Sequence, residues 1–154
     1  MDRRKSIQLT PEESRRFMEE GRTATLATNG RDGHPHLVAM WYGVKDGDLV
    51  MTTYGKSQKA VNIRRDPRAT MMWEAGTAYN KLRGLMIRGR AEIVEDVNFT
   101  AEVLRLVGAK MSGATSGGTA VSPEQNRALE AQATKRIVIR FHPEKLSSWD
   151  HSKM

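Results

Sequence analysis

Short stretches in which apolar and polar residues alternate recur along the chain and predict β-strands. In the clearest one, apolar or small residues take every second position from Leu85 to Ile93, and charged residues lie between Ile87 and Ile93. Because successive side chains of a strand point to opposite faces, this period of two predicts a half-buried strand. Similar reasoning predicts six strands, at 23–28, 36–42, 49–53, 69–74, 85–93 and 136–142.

Turn-forming residues separate these stretches and indicate an antiparallel order. Asparagine, aspartate and glycine are frequent in segments 29–33 and 45–48, which predicts two hairpin turns. Pro143 follows the last stretch and is predicted to end it, because proline cannot donate to a strand ladder. We therefore expect a mainly β fold, a six-stranded barrel with helices packed around its ends.

Helix start signals flank the predicted barrel. Thr10 with Glu13 and Ser122 with Gln125 each form a capping-box pattern at the start of a helix. Gly21 is predicted to end the first of these helices in a left-handed conformation.

Two further helices are predicted between the strands. One begins at Ser57 and stops at Asp66, because the residue before a proline is disfavoured in the helical region. Asn98 is predicted to cap the other. The segment 111–121, low in bulky residues, is predicted to be a surface loop, with a flexible lid as the alternative.

The composition narrows the class of protein. A chain of 154 residues is expected to form one domain, residues 1–154, and the absence of cysteine excludes disulfides, thiolate metal sites and cysteine nucleophiles. No apolar segment follows the basic N-terminus, and no apolar run approaches the ~20 residues of a membrane helix. We therefore expect a cytoplasmic protein without a membrane span.

Basic residues are concentrated in the segment 52–68, called the basic segment below. It carries Lys56, Lys59, three arginines and one aspartate, in a chain with a net charge of +7. Hydroxyls of Thr52, Thr53 and Ser57 surround its turn, and the helix that follows exposes unpaired N–H groups at its start. Such donors, positive charge and a helix dipole suit a phosphate or a polycarboxylate. A solvated basic helix is the alternative interpretation.

A second group of cations lies in and before the fifth predicted strand, at Lys81, Arg83, Arg88 and Arg90. Nucleic acid more often meets a broad basic face with aromatic residues between the charges. Two local patches favour instead one anionic ligand, with a patch from each subunit, and no nucleic acid partner is predicted.

The chain offers few residues for metal binding or direct catalysis. His34 and His36 lie on one side of an extended segment, but no third ligand is suitably spaced, so no metal site is predicted. Motifs of nucleophile-elbow hydrolases, metalloproteases, P-loop proteins and dinucleotide-binding proteins are absent. A ligand site without an evident acid–base or nucleophilic set suits an enzyme whose cofactor performs the difficult step.

An ordered set of short motifs resembles the pyridoxamine 5′-phosphate oxidase-like split β-barrel superfamily. The tail from Ser148 to Lys153 resembles an ending common in its flavin/deazaflavin oxidoreductase branch. The resemblance covers about residues 10–95 and 136–154. The other motifs are Ala24-Thr25-Leu26-Ala27-Thr28, Gly33-His34-Pro35-His36, Met40-Trp41-Tyr42, Thr52-Thr53 with the run from Lys59 to Arg68, and the run from Arg83 to Glu92.

The resemblance implies a homodimer with two cofactor sites at its interface. The cofactor in this branch is typically coenzyme F420, a deazaflavin with a phosphate and an oligoglutamate tail, whereas other branches hold FMN. Residues implied to hold the phosphate and tail are Thr52, Thr53, Lys56, Ser57 and Lys59, with Gln58 and Asn62 as further cofactor-binding candidates. Residues implied to lie along the ring are His36, Val38, Met40 and Thr52.

Other residues are implied to close the site across the interface. They are Trp73, Tyr79 and Trp149, together with Arg88 and Lys81, which are candidates for stabilising negative charge during catalysis. Core packing is an equal alternative for Trp73. Trp41 and Tyr42 point to opposite faces of their strand, so one is expected in the core and the other near the ring.

The resemblance therefore implies an F420-dependent reductase that transfers hydride to an unsaturated small molecule, and together with the apolar and aromatic residues of the site it suggests an acceptor such as a quinone, a tetrapyrrole or a polyaromatic compound. Basicity beyond the need of one phosphate favours F420 over FMN, because oligoglutamate adds carboxylates. An FMN-binding oxidase or reductase of the same fold stays open, as does a non-enzymatic module that binds a polyanion. Arg64, Arg65 and Arg68 either serve the tail or face water.

Overall fold

The chain folds into a curled antiparallel sheet that forms a split barrel. A computed structural model describes residues 3–113 and 121–154. Its strands are β1 Thr23–Asn29, β2 Pro35–Trp41, β3 Gly43–Lys45, β4 Asp48–Thr53, β5 Arg68–Ala75, β6 Arg83–Val94 and β7 Ile137–Asp150. Hydrogen-bonded neighbours follow the order β2-β1-β5-β6-β7-β4-β3.

The predicted mainly β split barrel is confirmed, but it has seven strands and not six. The predicted strand 36–42 ends at Trp41, and β3 begins separately at Gly43. Between them Tyr42 is fully buried, and its hydroxyl lies 2.5 Å from the Met18 carbonyl and 2.9 Å from the Gly21 carbonyl. Past this anchor the chain leaves β1, and β3 pairs with β4 at the other end of the sheet.

Strand β7 continues past Pro143 to Asp150, so the prediction that Pro143 ends it is wrong. Up to Phe141 the strand pairs with both β4 and β6, and beyond that point it pairs with β6 alone. Pro143 thus lies where one edge of β7 is free. A register shift against Arg88 and Gly89 leaves Glu144 unpaired and forms a β-bulge, one of the few places where a sheet tolerates proline.

Helices flank the barrel, and both predicted capping boxes are present. Among the described residues no helix is long and apolar enough to cross a bilayer. Short 3-10 turns lie at Tyr79–Lys81 and His151–Lys153. The helices are α1 Arg3–Ser6, α2 Pro11–Glu20, α3 Gln58–Arg65, α4 Val97–Ser112 and α5 Pro123–Ala133.

Two predicted helix ends are wrong. Gly21 has φ −64° and is extended, because the chain passes directly into β1; a Cβ there would lie 2.6 Å from the Tyr42 hydroxyl, so close packing requires the glycine. Helix α4 is capped by Asp96, whose carboxylate accepts from the Phe99 N–H, and Asn98 lies inside the helix. The predicted loop at 111–121 begins within α4, and residues 114–120 lie outside the described residues.

The two faces of β4 contact different parts of the core. Leu49 and Met51 join the main cluster inside the barrel, whereas Val50 packs with Val138 of β7 and Val103 of α4. Because side chains alternate along a strand, Thr53 faces the barrel interior and Thr52 faces the side covered by α4. The last residues of β4 therefore present hydroxyls to two different sides.

Gly89 provides a test of the bulge. A Cβ at this position would lie 2.1 Å from the His142 carbonyl oxygen, which is backbone and cannot rotate away. We expect Gly89→Ala to lower the free energy of unfolding by about 1–3 kcal/mol, as overpacking does. Urea denaturation measures this change.

The matched control is Gly108→Ala in α4, where a Cβ would meet no atom within 4 Å. Alanine is the better helix former, so this variant should be as stable as the parent chain or more stable by up to about 1 kcal/mol. Equal destabilisation by both substitutions would contradict the assigned role of Gly89.

Candidate functional site

A gap runs between β2 and the β3–β4 hairpin, because β2 and β3 are the two terminal strands of the curled sheet. We call this gap the seam. Among the described strands β2 pairs with β1 alone, so backbone N–H and C=O groups along its other edge are unpaired within the sheet. An edge of this kind offers hydrogen-bonding groups to a planar heterocycle.

Two cavities lie along β2. The seam cavity, of about 520 Å³, is lined by Ala39, Met40, Trp41, Thr52, Leu104, Val107, Gly108, Gln132 and Arg136. The turn cavity, of about 460 Å³, is lined by Gly30, Arg31, Asp32, His34, Pro35, His36, Gln58 and Asn62. Residues predicted to lie along the ring therefore border both cavities. Met40 and Thr52 line the seam cavity, and His36 lines the turn cavity.

Val38 lies between the two cavities. It occupies the same face of β2 as His36 and Met40 and packs against the main core. At ~3.3 Å per residue, the distance from His36 to Met40 along the strand is about 13 Å. The two cavities are thus neighbours along one strand edge.

The start of α3 has the unsatisfied donors expected of an anion site. Ser57 is the N-cap residue, but its side chain makes no capping hydrogen bond to the helix. Instead its hydroxyl oxygen accepts from the Thr53 hydroxyl at 3.1 Å. The first N–H groups of α3 therefore have no partner from the cap, and the N-terminal end of the helix dipole is exposed.

Two cations without a carboxylate partner lie beside this helix start. Burial, and then the nearby Arg136 guanidinium, lower the pKa of Lys59. Arg136 stacks on Tyr54, with its guanidinium carbon 4.5 Å from the ring centroid. No described acidic side chain forms an ion pair with Lys59 or Arg136. An anion bound here would offset both the burial of the Lys59 charge and its repulsion by Arg136.

Sequence reasoning missed Arg136. It is the first residue of the predicted strand 136–142 and lies far from the basic segment in sequence. It reaches this site because β7 pairs with β4, with Ile137 opposite Thr53. Strand pairing of this kind has no local signal in the chain.

His36 has a buried polar atom without a partner. Within the described residues, the buried side-chain polar atom that makes no hydrogen bond is the Nδ1 of His36. Buried polar groups in proteins are nearly always satisfied, so an unpaired one beside a cavity points to a missing partner. A ligand with a hydrogen-bonding group in the turn cavity would supply it.

Asn62 and the arginines of the basic segment serve the fold. Asn62 is fully buried and donates to the Thr28 hydroxyl at 3.1 Å, while its carbonyl oxygen accepts from Gln58 at 2.8 Å.

The arginines of the basic segment have partners within the fold. Arg64 pairs with Glu95 and the Gly55 carbonyl, and Arg65 donates to the Asn29 carbonyl. The Arg68 guanidinium donates two hydrogen bonds to the Asp66 carboxylate and holds the pKa of that carboxyl well below its usual range. Among the basic residues of the basic segment, this leaves Lys56 and Lys59 for an anion.

The aromatic pair Trp41–Tyr42 has one residue in the core, as predicted, and the place of the other beside a ring stays a prediction. Trp41 is 59% exposed at the seam cavity, whereas Tyr42 is fully buried. Trp73 is only 2% exposed and donates its indole N–H to the Tyr42 hydroxyl at 2.7 Å. This placement favours core packing for Trp73 over a place beside a cofactor.

The remaining predicted site residues lie away from the seam of their own chain. Tyr79 contacts His151, with ring centroids 4.7 Å apart, and Trp149 covers Gly84, where a Cβ would come within 2.0 Å of its ring. Lys81 ends the same 3-10 turn as Tyr79. Arg88 lies on the outer face of β6. One chain does not bring these four residues to its own seam.

The family follows from comparison with known proteins. The pyridoxamine 5′-phosphate oxidase family matches residues 10–150. The chain belongs to this family. Among curated proteins no match to the chain was found.

Solved structures with the same fold extend the comparison. A conserved hypothetical protein of Mycobacterium tuberculosis is 39% identical, with a TM-score of 0.87 over 99% of this chain and 92% of that one. An F420 reductase is 25% identical, with a TM-score of 0.66 over 94% of this chain and 100% of that one. A FAD-binding protein of Mesorhizobium loti is 16% identical, with a TM-score of 0.68 over 92% and 94%, a likeness of fold alone. The family and these neighbours include oxidoreductases and flavin-binding proteins.

The different environments of Trp73 and Trp41 can be tested by substitution. Trp73→Phe removes a buried hydrogen bond to Tyr42 and part of the core, so we expect the free energy of unfolding to fall by about 1–3 kcal/mol. Trp41→Phe changes a ring that is exposed in the single chain, so in monomeric protein it should alter stability by no more than about 0.5 kcal/mol. Urea denaturation followed by circular dichroism measures both, and a larger loss for Trp41→Phe would contradict the assignment.

Proposed function

We propose that this protein is a coenzyme F420-dependent oxidoreductase that transfers hydride from the reduced deazaflavin to an unsaturated, planar acceptor. The observation that carries the proposal is the pair Lys59 and Arg136 without acidic partners, beside the uncapped start of α3. Two cations and a helix N-terminus exceed the need of one phosphate. A phosphate followed by glutamate carboxylates matches this excess.

The side chains along the seam fit the parts of such a cofactor. Ser57, Lys56, Lys59 and Arg136 would hold the phosphate and the first carboxylates, with the Thr52 and Thr53 hydroxyls nearby. The unpaired Nδ1 of His36 would bond to a polar edge of the ring system, and Gln58 lines the same cavity. Val38 and Met40 would support its apolar face.

We also propose a homodimer as the functional form. Register places Leu37, Trp41 and Met72 on one outer face of the sheet, and they are 60%, 59% and 38% exposed. Large exposed apolar side chains that share a face are typical of an interface. A second copy on this face would bring Tyr79, Lys81, Arg88 and Trp149 towards the seam of the first, as the family resemblance implies.

The bound deazaflavin would supply the hydride, and the protein supplies position and charge. The wall of the seam cavity would hold the acceptor against the ring at reacting distance and exclude water. Arg88 or Lys81 from the second subunit would stabilise the negative charge that develops on the acceptor.

A cofactor titration tests the proposal. We expect reduced F420 to bind with a micromolar or tighter dissociation constant and FMN to bind at least about tenfold more weakly, because FMN lacks the tail carboxylates. Lys59→Ala should weaken F420 binding by about tenfold or more, the effect of losing one charge-assisted contact. Fluorescence of the deazaflavin measures the affinity.

The matched control is Lys5→Ala, an exposed lysine in α1 whose removal changes the net charge by the same amount. It should leave the affinity for F420 unchanged. Tight FMN binding with no F420 binding would replace the proposed cofactor by FMN. Equal weakening by both lysine substitutions would show a general charge effect and contradict a site at Lys59.

A further inference from the structure

A third cavity lies on the other side of the β1–β2 turn and is rich in arginine. Its volume is about 440 Å³, and it shares Pro35 with the turn cavity. Its charged lining consists of Arg68, Arg88, Arg90 and Glu144. We call it the arginine cleft. The rest of its lining is small or polar: Ala27, Thr28, Asn29, Ala69, Thr70 and Gly89.

The arrangement of these arginines works against stability. Arg68 and Arg90 are directly opposite each other on β5 and β6, and Arg88 is opposite Thr70. Like charges opposite each other on neighbouring strands are destabilising. Asp66 pairs with Arg68 and reduces this repulsion, but the side chains of Arg88 and Arg90 make no ion pair or hydrogen bond to any described residue. These two exposed guanidinium groups are therefore available to a ligand in the cleft.

The β-bulge shapes this cleft. Gly89 lies between the two arginines and lines the cleft with its backbone, while on the opposite, core face of β6 the His142 carbonyl leaves no room for a side chain. The unpaired residue of the bulge, Glu144, provides the acidic group of the lining. Bulges are over-represented next to functional sites, where they redirect side chains.

We propose that the arginine cleft binds a carboxylate of the acceptor substrate, and that the acceptor is a planar compound carrying one or two carboxylates. A guanidinium matches a carboxylate with two parallel hydrogen bonds, and Arg88 and Arg90 can each supply such a fork. This inference rests on the proposed function, because Arg88 is there assigned to the second subunit's share of the reaction site. In the proposed function Arg88 provides a single stabilising charge. With Arg90 and Arg68 beside it, the cleft becomes a site that recognises a carboxylate.

Binding of phthalate, a planar aromatic dicarboxylate, to the full-length protein without cofactor tests the site. We expect calorimetry at low ionic strength to detect phthalate binding and no binding of its uncharged dimethyl ester. Arg88→Gln and Arg90→Gln should each weaken phthalate binding about tenfold, the loss of one charge-assisted pair. Glu144→Gln should tighten it, because the one carboxylate that repels the ligand is removed.

Two control variants separate this cleft from other basic surface. Arg15→Gln removes an exposed arginine from α2, and Lys5→Gln removes an exposed lysine from α1. Neither should change phthalate affinity. Absence of binding, or equal weakening by Arg15→Gln or by Lys5→Gln, would overturn the proposal.

Thermal unfolding provides a readout that a structural role would move. If the cleft arginines serve a ligand, Arg90→Gln relieves repulsion with Arg68, so the melting temperature should stay the same or rise. A clear fall in melting temperature would assign Arg90 to the fold and overturn the proposal.

Failure of this inference and failure of the proposed function give different results. In one outcome the protein binds phthalate through Arg90 and yet does not bind F420. That result would refute F420 as the cofactor and the substrate-binding role of the cleft, but the cleft would still be an anion-binding site. F420 binding without phthalate binding would refute the cleft alone. In the active enzyme, Arg90→Gln should raise KM for carboxylate-bearing acceptors and leave KM for uncharged acceptors unchanged.

Discussion

The position of the basic helix α3 depends on one buried amide. Asn62 is fully buried and bonds at once to Thr28 of β1 and to Gln58 and Arg65 within the helix. A buried amide must keep its partners, so α3 cannot rotate or slide without leaving polar atoms unsatisfied. The direction of Lys59, the exposure of the helix start and the place of Gln58 at the turn cavity all follow from this anchor. The helix is thus held by its buried face and leaves its N-terminal end free.

The distribution of charge shows a division between fold and binding. Arg64, Arg65 and Arg68 are occupied by Glu95, the Asn29 carbonyl and Asp66. Among the described cations that form no ion pair, Lys59, Arg136, Arg88 and Arg90 line or adjoin cavities, whereas others, such as Lys5 and Arg15, are exposed on helices. Clefts lined by charge of one sign attract ligands of the opposite charge. We therefore propose the seam and the arginine cleft as the two anion-binding places of the chain.

Local patterns in the sequence predicted the elements well, and pairing across the sheet explains what they missed. The capping boxes at Thr10 and Ser122 and the alternation in β6 depend on residues close in the chain, and the structure confirms them. The path of β7 past Pro143 depends on which edge of the strand is free, and no local pattern records that. Arg136 was missed for the same reason, since only the pairing of β7 with β4 brings it to the seam. The structural part played by Asn62 was hidden because its partner Thr28 is far away in sequence.

The central claim is that Lys59 and Arg136 together hold the anionic part of the cofactor. A double-mutant cycle on F420 affinity, with Lys59→Gln, Arg136→Gln and the double variant, tests it most directly. Two cations that contact one anion should be coupled, so the loss in the double variant should differ from the sum of the single losses by more than about 0.5 kcal/mol. Losses that add without coupling, or an Arg136→Gln variant with unchanged affinity, would contradict the account.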